Sequence, residues 1–406
     1  MKSLNIFSDL KLIDDKIIFF ILLLPISLLA GSLIININIL ILIILFFFDL
    51  FKKKNYKIFK IKEVYFLLLI WIYLILNALF IGKTDEGLIR AIGFLRFIFL
   101  TFILAYYFSY KNSYYKNIIL KFWFVLFVII TFDLLFEFFF GFNFFGNKST
   151  YANRLSGFTG DELKIGGFYF GFILISLSFI IKKYRKFFLP LLIFFVLVSF
   201  LIGEKSNFIK VLTVSSLLLI ILYYKNYKFW LIAFLLIIIS FFSINKIVNK
   251  AGIFEHYTQL ISEKGFSFYY KNYSIHYKHY QAAEKIFKKN YIFGIGVKKF
   301  RVESFKKEYN PSDDSMRGAM HPHQFHYEIL SELGLIGYVL ILGFLIHQIY
   351  YGLKLYRTKK DILVLSSSLF IFANIIPLLP SGSFFTTYTA TIFWINYSFI
   401  LRNKFA

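Results

Sequence analysis

Charged residues in this chain stand in short clusters, and the stretches between the clusters are apolar runs of roughly 16–20 residues. A run of that length, wound as a helix, crosses the hydrocarbon layer of a bilayer, which is about 30 Å thick. Inside that layer each backbone N–H and C=O group must find its partner within the segment, so the runs are predicted to be helices. The composition agrees, because 59% of the 406 residues are hydrophobic and only 17% are charged. We therefore expect an all-α, polytopic membrane protein.

We predict about 12 transmembrane helices from these runs. They are 17–31, 33–51, 64–81, 88–108, 118–140, 167–181, 187–202, 208–224, 229–244, 327–350, 362–379 and 386–401. Lys- and Arg-rich loops follow the second, sixth, eighth and tenth spans, so the positive-inside rule places both termini in the cytoplasm. These loops account for the formal net charge of +24, and nucleic acid is not expected as a partner. The chain has no cysteine, which excludes disulfides and thiolate metal sites.

One connection is far longer than the others, the predicted periplasmic loop 245–326 between spans nine and ten. It is too large for a simple connector, which makes it the functional candidate. Within it Tyr280, Ala283 and Ile286 recur at helical spacing beside several lysines, which predicts an amphipathic helix on the membrane surface. With no internal repeat and no low-complexity linker, 1–406 is interpreted as a single membrane domain.

The segment richest in chemistry is His321-Pro322-His323-Gln324-Phe325-His326, at the start of the tenth span. Pro322 suits the first turn of a helix, which would place His323 near a helix N-terminus. There the helix dipole favours a neutral imidazole able to accept a proton, and free N–H groups attract phosphate. Two other interpretations stay open: a cluster that only caps the helix, and a zinc site. Against zinc, His321 and His323 share no helical face and no HExxH spacing occurs.

These histidines, followed by Glu332-Leu-Gly-Leu-Ile-Gly337, resemble the signature of the O-antigen ligase and O-antigen polymerase superfamily. Members show His-Asn or His-Pro-His-Asn, then an acidic residue and Gly-x-x-Gly entering a membrane helix. Three more segments resemble family motifs in the same order: Arg154-Leu-Ser-Gly157-Phe, Gly203-Glu-Lys205-Ser, and Ile-Phe-Gly-Ile-Gly-Val-Lys-Lys-Phe-Arg at 292–301. The chain departs from the pattern at positions 324 and 205, where Asn and Arg are common. Lysine keeps the charge of arginine but lacks its bidentate fork.

The resemblance implies a membrane glycosyltransferase of the bacterial inner membrane, with its active site on the periplasmic face. Its donor would be an undecaprenyl-pyrophosphate-linked oligosaccharide. The acceptor would be lipid A–core for a ligase, or another lipid-linked glycan for a polymerase. The residues that the resemblance implies are a catalytic base, His323; pyrophosphate ligands, Arg154, Lys205 and Arg301; and supporting residues, His321 and Glu332.

No cofactor and no metal is expected, because cationic side chains can stabilise the departing pyrophosphate and the donor already carries an activated sugar. A lipid-oligosaccharide flippase or another transporter is the alternative from a different class. The basic residues also have purely structural interpretations. Arg154 could pair with Asp161 or Glu162 in its own loop. Lys205 could pair with the carboxylate beside it, and Arg301 could belong to a solvated basic patch.

Four ionisable residues fall inside predicted spans: Arg90 and Arg96 in the fourth, Asp133 and Glu137 in the fifth. Ionisable groups within a membrane often mark functional sites or transport paths. Here two cations and two carboxylates stand on successive spans. We therefore predict that the four neutralise one another structurally.

Overall fold

The computed structural model describes residues 13–53, 60–110, 113–151, 153–160, 164–228, 230, 274–309, 318–377 and 379–405. Within these ranges the regular structure is helical and contains no strand, which confirms the all-α class. In chain order the helices are α1 (Ile13–Leu22), α2 (Leu24–Ala30), α3 (Ser32–Lys53), α4 (Lys62–Asn77), α5 (Asp85–Gly93), α6 (Leu95–Tyr110), α7 (Ser113–Phe140), α8 (Ile165–Lys183), α9 (Phe188–Leu201), α10 (Lys205–Tyr223), α11 (Ile275–Lys289), α12 (Phe300–Glu303), α13 (Phe325–Lys359), α14 (Ile362–Asn374) and α15 (Thr387–Leu401).

Seven helical stretches of the described chain are long and apolar enough to cross a membrane, and each coincides with a predicted span. They are Ser32–Lys52, Lys62–Gly82, Asp85–Ser109, Tyr114–Phe140, Ile165–Lys183, Lys205–Tyr223 and Phe325–Lys359. Four further predicted spans fall on shorter helices, namely α1 with α2, α9, α14 and α15. The predicted span 229–244 lies outside the described residues, apart from residue 230. The chain is a multi-pass membrane protein, while the total of about 12 spans stays a prediction.

Helix α15 lies at the centre of the helical assembly. All of its residues except Thr389 are buried, and it packs against α6, α8 and α14. Outer helices such as α3 instead expose large apolar side chains: Leu33, Leu40 and Phe48 are 72%, 57% and 61% exposed. Exposed apolar faces of this extent suit contact with lipid, because lipid chains are as apolar as these side chains.

Helix α13 is broken at Gly334, whose backbone is left-handed with φ 66° and ψ −168°. The break leaves main-chain groups without helical partners, and the segment 291–296 supplies new ones. Leu335 donates its N–H to the Tyr291 carbonyl at 2.8 Å, and Gly296 donates to the Glu332 carbonyl at 2.8 Å. The glycines of this segment are therefore needed for close backbone packing.

The contact at the break is too tight for any side chain. A Cβ on Gly334 would lie 2.4 Å from the Ile292 carbonyl oxygen, and one on Gly294 would lie 2.4 Å from the Glu332 carbonyl oxygen. Two of the motifs seen in the sequence thus fold against each other. Their glycines position the start of α13, where the histidines stand.

Helix α11 forms within the predicted loop 245–326. Its apolar residues Tyr280, Ala283 and Ile286 are buried, and the helix packs against α13. The face that the sequence assigned to the membrane surface is thus covered by protein, because α13 offers it a complementary apolar surface; Tyr280 stacks on Tyr327 with ring centroids 4.7 Å apart. Residues 245–273 and 310–317 of that loop lie outside the described residues.

Candidate functional site

A cavity of about 910 Å³ opens where α8, α10, α13 and α15 begin. Its charged and titratable lining residues within the described chain are Arg90, Arg154, Lys164, Glu204, Lys205, Lys210, His276, His321 and His323. Five of these are Arg or Lys and one is a carboxylate. The helix N-termini add partial positive charge. An anion with several oxygen atoms, such as a phosphate group, is therefore the ligand that the cavity suits.

The cavity also has an apolar wall. Leu33 and Ile209 lie on it and are 72% and 41% exposed, while Phe170, Phe370 and Phe393 line its interior. A cationic region beside an apolar one fits an amphiphile that carries an anionic head on a hydrocarbon chain.

The loop that carries Arg154 is held in place by a carboxylate from α7. Glu137 accepts the Ser156 N–H at 2.9 Å and the Gly157 N–H at 2.7 Å, and the Ser156 hydroxyl adds a third bond at 2.9 Å. Gly157 has φ 52°, a left-handed backbone that glycine adopts without strain. The segment 154–157 therefore binds the Glu137 carboxylate through its amides and a hydroxyl. This contact holds the loop so that Arg154 lines the cavity.

The turn before α10 packs directly on that loop. Gly203 has φ 80°, and a Cβ there would lie 2.1 Å from the carbonyl oxygen of Asn153. Only glycine permits this approach. It brings Lys205, the first residue of α10, to the same cavity as Arg154.

Glu204 does not serve Lys205 as an ion-pair partner. Its carboxylate accepts the Gly166 N–H at 2.9 Å and the Asn207 side-chain amide at 2.6 Å. Within the described residues Lys205 forms no ion pair, so the self-paired interpretation of this lysine is wrong. Burial raises the pKa of Glu204, and the two hydrogen bonds and nearby cations, Arg154 among them, oppose that rise.

Arg154 likewise has no carboxylate partner among the described residues. The partners considered from the sequence, Asp161 and Glu162, lie outside the described residues.

Four histidine rings meet at the start of α13. The ring centroid of His323 lies 4.0 Å from that of His321, 5.2 Å from that of His276 and 5.3 Å from that of His279. The last two come from α11 and were missed in the sequence. The available signal was their i, i+3 spacing on an amphipathic helix within the long loop.

Helix α13 begins after Pro322, which was expected from the sequence to lie in its first turn. Its first residue is Phe325, and the Gln324 side chain caps it by accepting the Tyr327 N–H at 3.0 Å. The prediction that Pro322 lies in the first helical turn is therefore wrong. The side-chain amide oxygen of Gln324 thus makes a helix-capping bond of the kind that Asn commonly makes. His323 stands just before the cap with φ 59°, and its carbonyl accepts the Ser381 N–H at 2.7 Å.

Burial is the main cause that holds these imidazoles neutral. It lowers the pKa of His323 to about 2, with neighbouring histidines adding to the effect. Burial and the Lys298 ammonium lower the pKa of His321 to about 3, and burial with His279 and then Arg154 lowers the pKa of His276 to about 4. At neutral pH all three are therefore unprotonated and only weakly basic. An anion bound in the cavity would raise these pKa values, because opposite charge favours the imidazolium.

Within the described part of the chain, no group of three or more His, Cys, Asp or Glu side chains is arranged to hold a metal ion. The His326 ring is fully engaged elsewhere. Its Nδ1 bonds the Tyr338 hydroxyl at 2.9 Å and its Nε2 bonds the Ile375 carbonyl at 2.8 Å. This third histidine of the motif therefore anchors α13 and does not line the cavity.

Arg301 and Glu332, two other residues singled out in the sequence, also lie outside the cavity lining. Arg301 pairs with Glu86 at 2.5 Å, so it is not merely part of a solvated patch, and its charge helps to lower the pKa of His321. Glu332 is buried and accepts the Lys298 N–H at 2.8 Å. It secures the segment that packs against the break in α13.

The mutual neutralisation predicted for the four intramembrane charges is wrong, since no ion pair joins them in the described chain. Glu137 holds the Arg154 loop, and Asp133 accepts the Phe144 N–H at 2.8 Å. Arg96 donates to a main-chain carbonyl at 2.5 Å, and Arg90 lines the cavity. Backbone groups at loop ends compete for these side chains, and a pattern of charges along the sequence does not show that.

Two further cavity residues were missed. Lys210 is 2% exposed and lies inside a predicted span, so its charge in an apolar run was the signal. Lys164 stands just before α8, where its carbonyl accepts the Tyr388 hydroxyl at 2.9 Å. Of the three cations expected from motifs, Arg154 and Lys205 line the cavity and Arg301 does not, while Lys210, Lys164 and Arg90 extend the cationic lining.

A family model described as O-antigen ligase matches residues 190–342. The matched segment includes Lys205, both cavity histidines of the 321–324 motif and the break in α13. This confirms the resemblance read from the motifs and identifies the segment with the O-antigen ligase and polymerase superfamily. The matched segment is thus similar to an O-antigen ligase domain, and the long apolar helices mark the chain as a multi-pass membrane protein. No curated protein matches the chain.

Proposed function

We propose that this protein is an O-antigen ligase-like glycosyltransferase of the inner membrane. It transfers a glycan from undecaprenyl pyrophosphate to a sugar hydroxyl of lipid A–core at the periplasmic face. The observation that carries the proposal is the shared cavity, which is lined by His323 and also by Arg154 and Lys205 from distant parts of the chain.

The reaction is a single displacement at the anomeric carbon. The acceptor oxygen forms a bond to that carbon as the bond to the pyrophosphate oxygen breaks, and the electron pair leaves with the pyrophosphate. His323 takes the proton of the acceptor hydroxyl. Because attack and departure occur on opposite faces of one carbon, the anomeric configuration inverts.

The cations stabilise the charge that grows on the leaving group. Arg154, Lys205 and Arg90 line the cavity and form no ion pair within the described residues, which supports their assignment to the leaving group. Preorganised donors of this kind are each worth about 10²–10³ in kcat. Arg301 acts from outside the lining, through the field that it exerts at His321.

Donor binding also prepares the base. In the empty cavity His323 is neutral but weakly basic, since its pKa is lowered to about 2 by burial and adjacent histidines. A bound pyrophosphate adds two negative charges nearby and raises that pKa. The charge of the donor thus makes the imidazole a stronger base at the moment when the reaction needs one.

The apolar wall suits the polyprenyl chain of the donor. Leu33 and Ile209 are exposed at the cavity edge, where a hydrocarbon chain can pass from the membrane to the cationic region. The positive-inside rule supports a periplasmic site, because the basic loops lie at the opposite ends of the spans.

Glycan transfer in proteoliposomes tests the proposal. Purified lipid-linked donor is supplied with lipid A–core or with a second lipid-linked glycan as acceptor, and wild type is compared with His323→Gln, Arg154→Met and Lys205→Met. His347→Gln and Lys285→Met, exposed residues away from the cavity, serve as matched controls. We expect transfer to lipid A–core that the three cavity variants lose and the two controls keep. Transfer only to the second lipid-linked glycan would assign a polymerase. Donor crossing the bilayer chemically unchanged, with no dependence on His323, would assign a transporter.

A further inference from the structure

A buried trio of polar side chains lies directly behind the cavity wall. Glu328 of α13 and Lys298 have side chains that are each 1% exposed, and their charged groups are 3.7 Å apart. Ser383 joins them: Lys298 donates to its hydroxyl oxygen at 2.6 Å, and the hydroxyl donates to Glu328. Burying two charges is costly, so such an arrangement needs every hydrogen bond that it makes.

The trio holds the loop that carries Ser383. The second oxygen of Glu328 accepts the Phe384 N–H at 2.8 Å. The carboxylate therefore fixes two successive residues of the loop 379–386, which forms one wall of the cavity. Removal of this carboxylate would leave a buried N–H and a buried hydroxyl without their acceptor.

The same loop reaches back to His323. Ser381 donates its N–H to the His323 carbonyl at 2.7 Å, two residues before the serine that Glu328 binds. His323 has φ 59°, a left-handed backbone that is unfavourable for a residue with a Cβ. A conformation of that kind persists only when its surroundings impose it. The contacts run in a closed circuit: from His323 to Glu328 along the start of α13, across to the loop, and back to the His323 carbonyl.

We propose that Glu328, supported by Lys298 and Ser383, is a positioning residue that holds the backbone of His323 and thereby aims its imidazole into the cavity. The inference rests on the proposed function, because it assigns a role in the same reaction. Glu328 touches neither substrate nor the reacting atoms. Its effect passes through the loop 379–386.

This role differs from that of the other buried carboxylate on α13. Glu332 binds the main chain at Lys298 and Phe300, and no contact links it to the loop 379–386 among the described residues. Glu328 is thus the acidic residue of α13 whose loss would displace the cavity wall beside the base. Misplacement of a catalytic group by about 1 Å can cost about 10² in rate.

The test compares Glu328→Leu with Glu328→Gln in the full-length protein in nanodiscs. The donor is the undecaprenyl-pyrophosphate-linked glycan and the acceptor is lipid A–core. Leucine removes both acceptor oxygens, whereas the amide oxygen of glutamine can still accept the Phe384 N–H. We expect kcat to fall by about 100-fold for leucine and by about tenfold for glutamine, with the KM for the donor nearly unchanged.

Glu63→Gln is the matched control for loss of stability. Glu63 is 7% exposed and pairs with Lys404 at 3.1 Å, away from the cavity. This variant should lower the melting temperature while kcat per folded protein stays at the wild-type value. The double variant Lys298→Met/Glu328→Gln also removes the buried ammonium that the single change leaves without the Glu328 carboxylate. It should recover melting temperature without recovering kcat, because the carboxylate clamp is still missing.

The inference is overturned if kcat per folded protein in the Glu328 variants falls no further than in Glu63→Gln, or if the double variant restores kcat together with stability. Failure of the proposed function gives a different result. In that case His323→Gln transfers glycan at the wild-type rate, whatever the Glu328 variants do.

Discussion

Gly203 lies against the main chain of Asn153 so closely that a Cβ would come within 2.1 Å of the Asn153 carbonyl oxygen. This contact joins the turn before α10 to the loop between α7 and α8. Each segment carries a cation to the cavity lining, Lys205 in one case and Arg154 in the other. The spacing of the two proposed pyrophosphate ligands is therefore set by a glycine.

Replacement of Gly203 by alanine should separate these segments. Its φ of 80° is unfavourable for alanine, and the new Cβ would collide with a carbonyl oxygen. We expect a loss of stability of about 1–3 kcal/mol and a weaker donor affinity, measured by thermal unfolding and by donor titration in nanodiscs. Gly343→Ala is the control, because no atom lies within 4 Å of a Cβ at that position in α13. If Gly203→Ala matched this control in both measurements, the contact would have no part in the site.

Lys205 should tolerate arginine but not methionine. Methionine keeps much of the side-chain length without the charge, so the growing negative charge on the leaving group loses one stabilising cation. We expect Lys205→Met to lower kcat by about 10²–10³. Lys205→Arg should keep or improve the rate, because a guanidinium binds phosphate through two parallel bonds. Steady-state kinetics decide this, and equal rates for the methionine and arginine variants would contradict the assignment.

Glu204 should make donor binding dependent on pH. Burial raises its pKa, and a bound pyrophosphate would raise it further, since like charge disfavours the carboxylate. The protonated form therefore binds the donor better, and affinity should fall as pH rises through this pKa. The Glu204→Gln variant lacks the titrating group. It should bind more tightly than wild type at high pH and show a flatter profile in donor titrations from pH 5 to 9. A profile as steep as that of wild type would assign the pH dependence to the histidines instead.

The histidine cluster should destabilise the protein at acid pH. The pKa values of His276, His321 and His323 are lowered to about 4, 3 and 2, chiefly by burial. In the unfolded chain they return to about 6.5, so below that pH the unfolded state binds more protons than the folded state. Stability should therefore fall as pH drops from about 7 towards 4. Melting temperatures of wild type and His276→Gln measure this, and the variant should show the smaller fall. The same slope in both would show that folding does not lower the pKa of His276.

The spans and the motifs could be read from the sequence because both are local. An apolar run of membrane length shows itself in consecutive residues, and seven of the predicted spans coincide with long apolar helices. His323, Arg154 and Lys205 could be singled out for a similar reason, because each stands in a short motif that resembles a family motif. The structure places all three in the lining of one cavity.

What the sequence could not show depends on contacts between distant segments. Glu137 reaches the Arg154 loop and not an arginine of the neighbouring span, because backbone amides in a left-handed turn compete for it. The position of Pro322 was wrong because a side chain, Gln324, caps α13 and delays its start to Phe325. His276 joins the site only because α11 packs on α13.

The most direct test separates donor binding from the chemical step. Donor binding and single-turnover transfer are measured in nanodiscs for wild type, His323→Gln and the double variant Arg154→Met/Lys205→Met. We expect His323→Gln to bind the undecaprenyl-pyrophosphate-linked glycan with wild-type affinity and to transfer none of it, while the double variant loses the binding itself. Single-turnover transfer by His323→Gln at the wild-type rate, or undiminished donor binding by the double variant, would contradict a shared cavity in which one imidazole acts on a donor held by these two cations.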